Sequence, residues 1–177
     1  MLLKKPEIIE ALLGHHQNFI HTINGLNETE FLSTPPGKWN ASQQLDHIHR
    51  AVQPVALAFG IPKIFLKVFF GKANRHSKSY DGLVDKYHKK LQEGGKAKGR
   101  FIPKSIRSDQ RKDWEDKLIT NIERLSERID RYEEQELDYY ILPHPLLGKL
   151  TLREMLYFTI YHVQHHRALV LRNLELN

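Results

Sequence analysis

Apolar residues recur along this chain at intervals of three and four, the spacing that puts them on one face of an α-helix. From Pro6 to about Asn24 the pattern is Ile8, Ile9, Leu12, Leu13, Phe19, Ile20 and Ile23, opened by a proline and closed by Gly25. "STPPGKW" predicts a rigid turn, since prolines and glycine neither sustain helix hydrogen bonds nor favour helical geometry. A second helix follows, with Asn40 and Gln43 as a capping pair, a core stripe of Leu45, Ile48, Val52 and Val55, and an expected kink at Pro54. "IPKIFLKVFFG" predicts a short helix packed on the body.

Ser108 is placed to cap a long helix running to about Glu134, with a seam of Leu118, Ile122, Leu125, Ile129 and Tyr132. "LPHPLLGK" is then a connection, and Thr151 with Glu154 forms the T-x-x-E box that opens the last helix. Between the second and third long helices, Gly71 to Arg107 turns polar and basic; its expected form is a solvated loop carrying a short helix around Leu83 to Leu91. Four long amphipathic helices without alternating strand patterns predict an all-α four-helix bundle with an inserted basic segment, residues 1–177 forming a single domain.

Composition narrows the chemistry. With 40% hydrophobic and 27% charged residues the chain is ordinary globular material. It has no cysteine, which excludes disulfides, thiolate metal sites, iron–sulfur clusters and a cysteine nucleophile, so a metal would need His, Asp or Glu. Lys4, Lys5, Glu7 and Glu10 interrupt the apolar run a signal peptide needs, and "IPKIFLKVFFG" is too short to span a bilayer; the expectation is a cytoplasmic protein that does not enter a membrane. The net charge of +6 raises phosphate binding, but the cations between Lys72 and Lys104 lack the interleaved aromatics of a single-strand binder and no reader motif accompanies them, so nucleic acid ranks last among partners.

Eleven histidines are many for this length, and three fall in "YHVQHH". On a helix of about 3.6 residues per turn, His162 and His166 lie one above the other on the stripe of Met155, Phe158, Thr159 and Leu169, so both rings point inward. His165 sits toward the edge, with Tyr161 and Arg172 beyond it. Buried imidazoles need partners, either a hydrogen-bonding core neighbour or a metal. A third ligand would come from another helix: His47 and His49 flank the second helix's stripe on opposite sides, and His15, His16 and His21 are open by spacing alone.

"KWNASQQLDHI" and "HPLLGKLTLREMLYFTIYHVQHHRALV" resemble, in this order, the two signature regions of the DinB-like superfamily, which includes the YfiT-type metal-dependent hydrolases and the bacillithiol and mycothiol S-transferases. The resemblance covers about residues 6 to 174, the segment from Gly71 to Arg107 excepted. It implies an up-down-down-up bundle and a divalent metal, zinc, nickel, iron or manganese, on three histidines: His47, eight residues after Trp39, with His162 and His166. Three neutral ligands leave positions open for a substrate, as in catalytic rather than structural sites.

The resemblance therefore implies a metal-dependent hydrolase or an S-transferase for a low-molecular-weight thiol, acting on a small molecule and often as a homodimer. The competing reading is a noncatalytic bundle whose histidines bind a structural metal or a small ligand. The sequence names no general base: Asp46 and Glu154 lie near the candidate site, but a solvated face and a helix start account for them.

Overall fold

The computed structural model describes residues 2–176. Its elements are α1 (Lys5–Asn24), α2 (Glu28–Leu32), α3 (Ala41–Ala58), α4 (Lys63–Phe70), α5 (Tyr80–Gln92), α6 (Arg111–Ile129), α7 (Glu134–Tyr139), a hairpin of β1 (Ile141–His144) and β2 (Gly148–Thr151), and α8 (Leu152–Glu175). Short 3-10 turns cover Gly99–Phe101 and Ser108–Gln110. The four long helices contact one another in a ring, α1 and α3 each packing against both α6 and α8.

The starts of α3 and α8 follow directly from local chemistry. Asn40 Oδ1 accepts the Gln43 N–H at 2.9 Å while Gln43 Oε1 accepts the Asn40 N–H at 3.0 Å. Thr151 and Glu154 exchange the same pair of bonds at 3.1 and 3.0 Å. Each box satisfies backbone donors that the first turn of a helix otherwise leaves unpaired. The expected seams are buried, including Leu45, Ile48 and Val52 on α3 and Leu118, Ile122, Leu125 and Ile129 on α6.

Several expectations are corrected. Ser108 does not cap α6: it begins a 3-10 turn, and the α-helix starts at Arg111. That helix ends at Ile129 rather than near Glu134, because Arg131 and Tyr132 N–H groups bond three residues back and tighten the chain; Tyr132 still reaches the core, from the turn. "STPPGKW" is preceded by the short α2, capped by Asn27. α3 runs through Pro54 as one helix, and the sharp bend, 110°, comes at the break before α4.

The "LPHPLLGK" connection is a β-hairpin, so the fold is mostly helical rather than purely so. Leu142 lies opposite Leu150, both buried, and Gly148 takes the left-handed φ of 74° that the tight return needs. His144 Nδ1 accepts the N–H groups of Leu146 and Leu147 across that turn, at 3.1 and 3.0 Å.

The basic segment is docked, not a solvated loop. Arg75 reaches the fully buried Glu154 carboxylate with both terminal nitrogens, at 2.6 and 2.7 Å, and Ser77 Oγ donates to Asp138. α5 is longer than expected and lays Leu83 and Tyr87 against α8. On α4, Leu66 is buried while Ile64, Phe65, Val68 and Phe69 face outward. No single helix among the described residues is long and apolar enough to cross a membrane.

His16 is fully buried on α1; its Nδ1–H donates to the Leu12 carbonyl at 2.8 Å, which leaves a buried Nε2 without a partner. Burial holds its pKa down to about 4 from 6.5. A folded pKa below the unfolded one means that this ring's contribution is complete above pH 6.5 and is lost as pH falls toward 4. His16→Leu should therefore flatten the loss of stability between pH 7 and pH 4.5, the two proteins diverging by about 2 kcal/mol at the lower pH in denaturant titrations.

Candidate metal centre

α3 supplies His47 and α8 supplies His162 and His166, each with no more than 6% of its surface exposed. The i, i+4 pair projects from one face of α8 toward α3, and the three rings meet there. His162 Nε2 lies 3.2 Å from His47 Nε2 and 3.0 Å from His166 Nε2. Trp39 sits beside His47 and stacks near-parallel to His166, Phe158 stacks on His162 with centroids 4.6 Å apart, and Tyr87 of α5 meets His162 edge-on.

The outer nitrogens determine what the inner ones can do. His47 Nδ1 lies 2.7 Å from the Phe101 carbonyl, which can only accept, so this nitrogen carries the proton and Nε2 presents a lone pair. His166 Nδ1 likewise faces Gln44 Oε1, whose amide is oriented by donation from Nε2 to the Trp39 carbonyl at 3.4 Å. Both neighbours of His162 Nε2 are then acceptors. A single hydrogen on that nitrogen can point squarely at only one of them, so neutral rings leave at least one inner lone pair without a donor.

A proton does not readily fill the gap. Burial, and then the neighbouring imidazoles, hold the pKa values of His162 and His166 well below 6.5. His47 is also lowered, by burial first, with the Phe101 carbonyl and Asp46 acting the other way. Three neutral imidazoles with converging lone pairs are the donor set that a divalent ion takes, and the three nitrogens lie within 4.8 Å of one another.

The helical wheel left His47 and His49 open, and the structure separates them. His49 turns toward α6, its Nε2 3.3 Å from Asn121 Nδ2 and its ring edge-on to Trp114. His165 is half-buried against Tyr87 and Tyr161; His15, His16 and His21 stay on α1, outside the trio. Glu154 is the expected helix cap: burial raises its pKa, but Arg75 and the Lys78 and Thr151 N–H groups outweigh this and hold it below the ordinary value. Asp46 is not on a solvated face, being 1% exposed.

Sequence reasoning missed the groups that orient and enclose the trio. Gln44 lies three residues before His47, so helical spacing carried its signal, whereas Phe158 was already on the stripe of His162 and His166. Nothing in the sequence pointed to Phe101, whose carbonyl arrives from 54 residues away.

The family model for the DinB superfamily matches residues 11–170. This chain belongs to the DinB superfamily. No curated protein and no solved structure matches it. Within that superfamily chain, the residues implied as ligands by the signature regions are the three that the fold brings together.

Gln44→Leu would strip His166 Nδ1–H of its acceptor. Zinc affinity, read by competition with a chromophoric chelator, should fall about 10- to 100-fold. Gln44→Glu keeps an acceptor there and should retain the affinity.

Proposed function

We propose that this DinB-superfamily protein is a metal-dependent enzyme, a hydrolase or an S-transferase for a low-molecular-weight thiol, with His47, His162 and His166 as ligands. The observation that carries the reading is the convergence of three buried imidazole Nε2 atoms, those of His47 and His166 with lone pairs turned inward, without a fourth protein ligand in the cluster found among the described residues. A closed structural site usually takes four protein ligands, whereas three with an open position suit catalysis. When bound, a divalent ion such as zinc, nickel, iron or manganese would supply Lewis acidity to a nucleophile and an electrophile held beside it.

The chain's own groups have separable tasks in this proposal. Phe101 and Gln44 hold the outer ring protons, and Trp39, Phe158 and Tyr87 keep water from the flanks. Arg75 is committed to Glu154 and Lys86 to the Leu147 carbonyl, so these two cations of the basic segment serve the fold; the partner in this proposal is a small molecule rather than nucleic acid. The proposal includes a single cytoplasmic domain in the up-down-down-up arrangement, and a homodimer in which a second copy would cover the outward row on α4.

The low exposure of the trio favours a second reading, a noncatalytic bundle in which the histidines hold a structural metal. Protein purified without a histidine tag separates the two. The enzyme reading expects about one divalent ion per chain, lost in His162→Gln with the fold retained, and thiol-transfer or hydrolytic turnover that disappears with chelation and returns with metal. Wild-type protein that neither carries nor takes up a metal would defeat both metal readings; a bound metal whose loss only lowers the melting temperature would favour the structural one.

A further inference from the structure

The carboxylate of Asp46 is buried one residue before His47 and does not belong to the trio. Its Oδ2 accepts Arg50 Nε at 2.6 Å and the backbone N–H of Lys104 at 2.6 Å. Arg50 also donates through Nη1 to the Arg100 carbonyl at 3.1 Å. One turn earlier on α3, Ser42 Oγ accepts the Ile106 N–H at 3.1 Å and pairs with Ser105 Oγ at 3.0 Å. Ser42, Asp46 and Arg50 follow one another at steps of four, so they form one polar stripe, and residues 100–106 lie strapped along it.

Phe101 sits between the two points that this stripe ties through Asp46 and Arg50, namely Arg100 and Lys104. The strap therefore brings to His47 the carbonyl that takes its Nδ1 proton. The other Asp46 oxygen, Oδ1, is buried without a partner. An unsatisfied buried acceptor is costly, which makes a carboxylate a poor choice here for packing alone.

We infer that Asp46 is a positioning residue for the metal centre: by strapping residues 100–106 to α3 it fixes the Phe101 carbonyl, and through it the tautomer and tilt of His47. Its consequence for metal affinity rests on the metal reading above, whereas its effect on the His47 ring does not. Ordering of the strap and occupation of the trio then reinforce each other, because each favours the same ring orientation.

The test uses the full chain and Asp46→Asn, which keeps the size of the side chain and removes its charge. In metal-free protein labelled with 15N-histidine, wild-type His47 should read as the Nδ1–H tautomer and the variant as a mixture or as Nε2–H. Trypsin cleavage at Arg100 and Lys104 should accelerate, and zinc affinity by chelator competition should fall about 10- to 100-fold. Glu115→Gln removes a different buried carboxylate, paired with Arg111, and should leave the tautomer and the affinity unchanged. If Asp46→Asn does not fold, Arg50→Ala should move the same three readouts in the same direction.

A variant whose strap is cut faster, but whose His47 tautomer is unchanged and whose zinc affinity stays within about two-fold, would overturn the inference, as would one whose strap is cut no faster. Wild-type protein that takes up no zinc or other divalent ion would sink the metal reading instead, and the NMR readout would still decide whether Asp46 positions His47.

Discussion

Three imidazoles turned nitrogen to nitrogen in a dry interior make the constraint on which the rest of this structure depends. Water is largely excluded, and protonation is opposed by burial and by the neighbouring rings. With the outer nitrogens of His47 and His166 donating to fixed acceptors, their inner lone pairs both face His162 Nε2, an arrangement that calls for a positive centre. A metal ion meets that need with three lone pairs at once, which is why the geometry points to ligation more strongly than the presence of histidines alone would.

Holding such an arrangement requires rigid elements, and both helices that carry the rings start in capping boxes. The Asn40–Gln43 and Thr151–Glu154 boxes set the register of α3 and α8, so the rings project from defined positions on packed faces. Glu154 is in turn held by Arg75, which fastens the polar segment to the base of α8. The same segment later delivers Tyr87 and the Phe101 carbonyl to the histidines. A stretch that reads as a basic loop is thus part of the site's wall and of its hydrogen bonding.

What could be read beforehand divides along physical lines. The long helices, their seams and two of their caps were legible because helix periodicity and capping are local. The inward turn of His162 and His166 was legible for the same reason. His47 was not separable from His49 on the wheel, since the choice depends on how α3 is rotated against α6 and α8; the resemblance to the DinB-like signatures supplied it. The hairpin was missed because its strands are four residues each and Pro143 breaks the alternation that marks a strand. The burial of the Asp46 carboxylate is not legible because, besides Arg50 one turn on, what covers it is a strap whose Lys104 N–H arrives from 58 residues away.

The central claim is that His47, His162 and His166 hold one divalent ion through Nε2. Anomalous X-ray diffraction from crystals of metal-loaded protein, collected at the absorption edge of the ion, tests it most directly. The account predicts a single strong peak at bonding distance, about 2.0–2.2 Å, from all three nitrogens, with room for a further ligand. An empty trio in crystals grown with excess metal, or a peak on other residues alone, would contradict it.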